Sequence, residues 1–485
     1  MPGIVVTTAV RTGPTNTQTA PTATLFVAGV TERGPDGTSH LVTSLSDFED
    51  IFGGYTSSGY THQTIETFFE EGGARAYVSR VVDESAAEAS LALADAASAT
   101  CINLLASGTG TWANSGGLTA QVEQPTASVN FRIKIRVNGA LVYTTENHTS
   151  PADAVNEINN SATAALYITA TTGASSNIPA VVAATNFSGG TNGSTLVAAD
   201  LEDALDTFTS NLGPGAVAAP GFYAEAMRDL VFAHAAANNR IALTSFDEGT
   251  SVATAISEAA NHTGDANAPY GAFFYPWVKI PNGTLTMMVP PEGYVAAKRA
   301  RVHNLYSPWN PYAGERTEAT FVTGLETSLS KTDADSLDEN YINAIKIING
   351  TARVYGARSA SDDTTNFRFI ISREVLNQIV YEAESALEAL LFLPIDGRQS
   401  TFSRVRATLT AIMERIRLAG GLYEAFDANG KQIDPGYTVQ VNNANNPLTQ
   451  LATGVIKAKV GARVSSIGDT IEVEITKSNL TSTLV

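Results

Sequence analysis

Residues 24–37 read TLFVAGVTERGPDG, a continuous apolar run from Thr24 to Val30 closed by the turn residues Arg33-Gly34-Pro35-Asp36-Gly37. A short apolar run bounded by glycine and proline reads as a buried strand leaving into a loop. Outward from it, Ser44 or Ser46 can cap a short helix through Asp47, Phe48 and Ile51 that stops at Gly53-Gly54. A second helix runs from Thr61 through Ile65, Phe68 and Phe69 to Gly72-Gly73, and Ala74 to Val82 reads as another strand. Strand and helix therefore alternate over residues 24–82, the pattern of an α/β domain. On the other side, residues 1–22 hold Ile4-Val5-Val6 and a Thr, Pro, Asn and Gln tract with too few large side chains for a core, so they read as an arm.

The pattern changes near residue 100. From Ile102 to Phe187 the chain is rich in Thr, Ser, Asn and Gly, and Phe131 to Val137 alternates apolar with basic residues, the signature of a half-exposed strand. This segment reads as a β-rich insertion over residues 100–190, preceded by the alanine-rich stretch Ala86 to Ala97. The α/β pattern then resumes, with helices expected over Asp200–Phe208 and Tyr223–Ala237 and strands over Gly215–Pro220, Arg240–Phe246 and Tyr270–Val278. Such alternation favours a mostly parallel sheet flanked by helices. Pro290-Pro291-Glu292-Gly293 opens a helix through Val302, and two longer helices are expected over about Arg373–Leu393 and Thr401–Leu418. Gly454–Val460 and Thr470–Thr476 alternate apolar with charged residues and read as strands. The expected organisation is an arm at 1–22, a discontinuous α/β domain at 23–99 and 191–340, the insertion, and a C-terminal domain at 341–485 with its own strand-donating arm.

A chain of 485 residues implies two to four domains. Its hydrophobic fraction of 44% is ample for ordinary cores. Charged residues make up 16%, and 30 basic against 48 acidic side chains give a net charge of -18. A sparsely charged, acidic surface excludes a general nucleic-acid or anionic-membrane binder, because phosphate neutralisation needs clustered Lys and Arg. It suits a protein that meets copies of itself. The single cysteine, Cys101, excludes an intramolecular disulfide framework and reads as a small buried side chain. No apolar run reaches the about 18 residues of a membrane helix, and MPGIVVTTAV has neither the basic leader nor the apolar stretch of a secretory signal.

Enzymatic chemistry is hard to place. The six histidines, His40, His62, His148, His234, His262 and His303, form no metal-ligand spacing. No GxSxG elbow and no GxxxxGK[ST] phosphate loop occurs. Gly189-Gly190-Thr191-Asn192-Gly193 lacks the strand-helix context of a dinucleotide site and reads as a loop, and Asp427-Ala428-Asn429-Gly430 reads as a turn because its glycine comes two positions early for a calcium loop. Asp333, Asp335, Asp338 and Glu339 fit a solvated helix start better than a catalytic pair. No catalytic, cofactor or metal residue is assigned.

The ends are more informative. Ile4, Val5 and Val6 at one end and Ile471, Val473 and Ile475 at the other are strand-like, and either close their own domain's sheet or pair with a neighbour's. In the helix at Thr401–Leu418, Phe402, Val405, Leu409, Ile412, Met413 and Ile416 form one stripe and Arg404 and Arg415 project from the opposite side. That basic face either meets an acidic partner or is simply solvated.

PGIVVTTAV, TLFVAGVTERGPDG, LVTSLSDFEDIFGG and ETFFEEGGARAYVSRVV resemble, in order and spacing, the N-terminal part of contractile phage tail sheath proteins. Downstream, VPPEGYVAAKRARVHNLYSPWNP, LDENYINAIKIINGTARVYGARS, NFRFIISREVLNQIV and LFLPIDGRQSTFSRVRATLTAIMERIRLAGGLYEAF are similar to successive sheath segments, and the resemblance is nearly complete except for residues 100–190. The resemblance implies a structural, non-enzymatic subunit of a virion's tail, assembled in the host cytoplasm, that polymerises with itself around a tail tube protein. It implies contacts with baseplate and tail terminator proteins, and contraction that drives the tube through the host envelope for genome ejection. No cofactor, nucleic acid or membrane insertion is implied. Ile4 to Val6 and Ile471 to Ile475 would then link subunits, and Arg404 and Arg415 would face the tube. A sheath of a bacteriocin or other contractile injection system is the alternative, and an unrelated α/β enzyme a more distant one.

Overall fold

The computed structural model describes residues 21–126 and 129–469. Its elements in chain order begin with β1 (Leu25–Gly29), β2 (Ser39–Val42), α1 (Leu45–Phe52), α2 (Thr61–Glu70) and β3 (Ala76–Arg80). The next stretch holds β4 (Ser90–Ala94), β5 (Thr100–Ala106), β6 (Leu118–Glu123), β7 (Arg132–Val137), β8 (Ala140–Thr144), α3 (Pro151–Asn160), α4 (Ala162–Ala165), β9 (Ile168–Thr172) and β10 (Val182–Asn186). It is followed by α5 (Ala198–Asp206), β11 (Ala216–Ala218), α6 (Glu225–Ala237), β12 (Ile241–Thr244), α7 (Val252–Ala260), β13 (Gly271–Tyr275), β14 (Val278–Asn282), β15 (Leu285–Val289) and α8 (Glu292–Leu305). The last elements are β16 (Gly324–Leu325), α9 (Lys331–Glu339), β17 (Ile342–Ile348), β18 (Thr351–Val354), α10 (Ile370–Glu388), α11 (Ser400–Leu418), β19 (Ala425–Phe426), β20 (Gln432–Asp434), β21 (Tyr437–Gln440), α12 (Leu448–Leu451) and β22 (Lys459–Ala462). The protein is thus a mixed α/β molecule with several sheets and twelve α-helices among the described residues.

The apolar run at residue 24 becomes β1, near the middle of an eight-stranded sheet of order β18-β17-β13-β12-β11-β1-β3-β2. The pairings from β17 through to β3 are parallel, and the outermost strands β18 and β2 are antiparallel. Alternate residues of a strand point to opposite faces, so Leu25 and Val27 join a cluster with Phe48, Phe52, Ile65, Phe68 and the α8 residues Tyr294 to Val302. Phe26 and Ala28 join a second cluster with residues of α5, α6, α7 and α9. Both faces are buried, which is why β1 reads as an unbroken apolar run with a burial of five in five. Gly29 is required where β1 passes α2, because an added Cβ would lie 2.2 Å from Thr61 Oγ1.

Residues 89–187 have a third cluster of their own, formed by the sheets β4-β5-β9 and β10-β6-β7-β8 and by α3. The alanine-rich stretch before residue 100 is part of it: β4 pairs antiparallel with β5, and Ala89 and Leu93 are buried there. Helix α3 was not read from the sequence, although Ser150-Pro151 followed by Ala154, Val155 and Ile158 carries a helical start and spacing. Asp36 ties this part to the sheet by accepting the Thr109 amide at 2.9 Å and an N–H of Arg80, in β3, at 2.8 Å.

Several expectations change at the C-terminal end. Strand pairing begins at Lys459 and reaches Ala462, so Gly454 to Ala458, expected as strand, is not. The alternation there is satisfied by a turn in which Asn446 Nδ2 donates to the Lys457 carbonyl and Asn446 Oδ1 accepts the Lys457 amide. Helix α10 starts three residues early at Ile370 and stops at Glu388, ahead of the residues around Pro394. The expected strand over Tyr270–Val278 breaks at Pro276 into β13 and β14.

Candidate assembly surface

The positions where an α/β enzyme would hold its site are the carboxyl ends of the parallel strands. Here those ends carry Tyr223, Ser245, Trp277 and Glu292, all buried. Ser245 Oγ donates to Glu292 Oε1 at 2.8 Å, and burial pushes the Glu292 carboxyl up to about 7. Packing seals this group from solvent, so it offers a substrate nothing to reach. The acidic residues of α9 are also structural: Asp333 closes a capping box with Ser330, Asp335 pairs with Lys331, and Asp338 pairs with Arg358. Asp427 closes the β19–β20 turn by accepting the Asn429 and Lys431 amides. Asp229, His262 and Asp265 bring three potential metal-ligand atoms within 4.8 Å of one another. The His262 ring nitrogen facing Asp229 is already in a 2.8 Å hydrogen bond with it, and the ring lies between Phe232 and Phe273. Cys101 is buried, with its thiol donating to the Leu93 carbonyl.

Two further clusters lie at the two ends of the described residues. At the N-terminal root, Arg299 of α8 donates from Nε and Nη2 to the two carboxylate oxygens of Glu374 on α10 at 2.6 and 2.7 Å, and from Nη1 to the Thr22 carbonyl at 2.5 Å. Burial alone would disfavour the guanidinium charge, but the Glu374 carboxylate outweighs it and holds Arg299 above its ordinary range. Burial, then the Arg299 charge, press His303 well below its usual range, so a neutral imidazole meets Thr22 Oγ1 at 3.1 Å. The first described residues, helix α8 and the start of α10 are thereby locked at one buried point. At the other root, Asp469 accepts from Arg368 at 3.2 Å and lies 3.5 Å from Arg358.

Between the roots, α10 and α11 pack on each other and on the β21–β22 ladder through Leu387, Phe402, Val405, Leu409, Ile412, Val439 and Val460. The stripe expected on α11 is buried as read. Its two outward arginines differ: Arg415 is in an ion pair with Glu382 on α10, whereas Arg404 is exposed with no ion pair among the described residues. Arg417 on the flank is engaged by Glu414 and Glu424. The basic face is therefore about half neutralised from within, which no helical projection of α11 alone reveals.

Beyond β22 the chain continues as an edge. Tyr423 N donates to Arg463 O at 2.8 Å and Ser465 N to Gly421 O at 3.1 Å, so Leu422 and Val464 oppose each other as a pair without mutual hydrogen bonds. The Val464 amide and carbonyl point to the other side, without a backbone partner among the described residues. Ala462 to Ser466 line a cleft of about 420 Å³ whose opposite wall is Thr364 to Phe369 with Ser372 and Leu376. A sheet edge bordering a cleft is the geometry that accepts an extended strand. Ile4, Val5, Val6, Ile471, Val473 and Ile475, read as subunit-linking strands, lie outside the described residues.

The fold is shared with contractile sheath proteins. The chain matches a subunit of the anti-feeding prophage helical sheath in its contracted state at a TM-score of 0.57 and 16% identity, covering 99% of each chain. It matches a chain of an extracellular contractile injection system, the PVC sheath complex in its contracted state, at 0.58 and 15%, covering 98% and 99%. The sheath tail protein Lin1278 from Listeria innocua aligns at 0.61 and 14%, covering 87% of this chain and 89% of that one. No protein-family model matches the chain, and no curated protein matches it.

Proposed function

We propose that this chain is the structural sheath subunit of a contractile injection apparatus, polymerising with copies of itself around a tube and shortening to drive that tube through a target envelope. The observation that carries the reading is a fold shared, end to end, with sheath subunits of such machines. The relatives of this fold are structural proteins, and the buried, hydrogen-bonded state of the polar clusters supports a subunit without catalysis. No helix among the described residues is long and apolar enough to cross a membrane. A phage tail, assembled in the host cytoplasm and carried in the virion, and a bacteriocin-like or extracellular injection system are the two settings; similarity to the anti-feeding prophage and PVC sheaths favours keeping both.

In this reading subunits are linked by strand exchange. Ile4 to Val6 or Ile471 to Ile475 of one copy pairs with the Val464 edge of another, adding ladder bonds worth about 1 kcal/mol each. Residues 23–99 and 191–340 form the α/β body together with β17 and β18, which complete its sheet beyond the expected boundary at 340; the rest of 341–485 is the linking domain, and 100–190, with β4 added, an outward unit dispensable for the body's folding. The tube is met by the α11 face bearing Arg404 and Arg415, through exposed ion pairs worth about 0–1 kcal/mol each that separate together on contraction. Baseplate and terminator proteins cap the two ends.

Negative-stain microscopy of the purified chain tests the central statement: tubes or rings are expected, and deletion of residues 1–20 should leave a folded monomer that forms neither. A wild-type chain that stays monomeric at all concentrations and with tube protein present would end the reading. Arg404→Glu with Arg415→Glu should still self-assemble but fail to form extended sheath on tubes.

A further inference from the structure

The second half of α10 stands away from the body. Its first half is pinned by Glu374 and by Asn377, which donates to the Arg240 carbonyl at 3.3 Å. From Tyr381 onward the same side of the helix faces a cleft of about 1330 Å³, larger than the about 300–1,000 Å³ of small-molecule pockets. One wall is Tyr381, Glu384, Glu388 and Leu391; the other is the loop around Leu212 with residues 237–239; and Pro21, the first described residue, lies on its border. Glu384 and Glu388 are exposed and have no ion pair among the described residues.

We propose that this cleft seats the N-terminal segment of the same chain, residues 1–20, before assembly. Three observations converge on that occupant. The segment starts at the cleft's own border, so no other peptide reaches it at a comparable effective concentration. Its only ionisable side chain is Arg11, opposite in sign to the two unpaired carboxylates. Its apolar residues, Ile4, Val5, Val6 and Val10, match the exposed Leu391 and the apolar lining. The physical need is that of any protein with a free strand and a free sheet edge: unless one of them is covered, copies join without control. Seating in cis withholds the strand until a growing polymer offers the stronger ladder. The contact is autoinhibitory, and it rests on the strand-exchange reading only for its consequence, not for its geometry.

Arg11 is a trypsin site, which makes the contact directly measurable in the full-length monomer. Cleavage after Arg11, followed by mass spectrometry at low protein concentration, is expected to be about tenfold slower than in a synthetic peptide of residues 1–20, as for any site that must open locally before it is cut. Glu384→Gln with Glu388→Gln, or 0.5 M salt, should remove most of that protection, while Arg11→Lys retains it. The double variant should then polymerise faster than wild type. Cleavage as fast as in the peptide, protection untouched by both treatments, or protection that grows with protein concentration would each overturn seating in cis. Absence of polymers with protection intact would instead strike the sheath reading alone.

Discussion

The α/β body and the C-terminal part from residue 370 to 469 are built from the same kinds of residue but finish their surfaces differently. The body buries its charges in satisfied networks. Lys298 and Glu71 are both fully buried at 2.5 Å, and Glu71 also accepts the amides of Thr320, Phe321 and Val322. The C-terminal part has two small apolar clusters with six and four buried members. It contributes nine of the twenty exposed large apolar side chains among the described residues, including Leu391, Phe392, Leu418, Tyr423, Phe426, Ile433 and Leu448. It also carries ten basic against ten acidic side chains, so all of the net charge of -18 lies elsewhere. A region that is electrically neutral, rich in exposed apolar groups and bordered by an open strand edge fits the proposed role of a surface that meets another copy.

Like substitutions in the two regions should therefore have unlike effects. Arg299→Met leaves Glu374 buried without its partner and is expected to cost about 3–5 kcal/mol in urea unfolding, whereas Arg415→Met, at an exposed pair, should cost no more than about 1 kcal/mol. Equal costs would erase the distinction. The pH dependence sharpens it further. The Glu292 carboxyl titrates at about 7 when folded against 4.5 as its ordinary value, and a raised carboxyl means that the folded state binds the extra proton. Its contribution is then fully present below about pH 4.5 and is lost as pH rises through 7, amounting to roughly 3–4 kcal/mol by pH 8.5. Glu292→Gln should flatten that slope, and an unchanged stability profile would show that the group is not the source.

At the linking edge, Val464→Pro removes an amide with no partner among the described residues and should change folding stability by only about 1 kcal/mol. Polymerisation should nonetheless be lost in sedimentation; retained assembly would place the acceptor edge elsewhere. The smallest expected change is at Phe392, fully exposed between α10 and α11. Phe392→Ser should shift stability by less than about 0.5 kcal/mol, so any clear effect on polymer yield would identify it as a contact.

Much of the body was legible because its elements announce themselves locally. β1, α1, α2, β3, α6 and β12 all lie within the stretches read from apolar runs, caps and glycine stops. The short strands β2, β14 and β15 were not, since a four- or five-residue strand with exposed positions has little period to display. Gly454–Val460 shows the opposite error: apolar and charged residues alternate from Ile456 on, yet the first five residues join no strand, because Asn446 and Asn445 claim the Lys457 carbonyl instead. The buried stripe of α11 was legible, but the partner of Arg415 was not, since Glu382 lies 33 residues away on another helix.

By itself the sequence determined the class of the fold and the ordered motifs resembling a sheath, both of which are written in neighbouring residues. Tertiary structure alone decided that Thr22, Arg299 and Glu374 meet at one buried point, that Val464 is left with an open edge beside a cleft, and that Pro21 borders a second cleft walled by Glu384 and Glu388. The physical reason is that burial and periodicity act along one element at a time, whereas ion pairing, edge completion and cleft formation depend on which distant elements the packed core brings together.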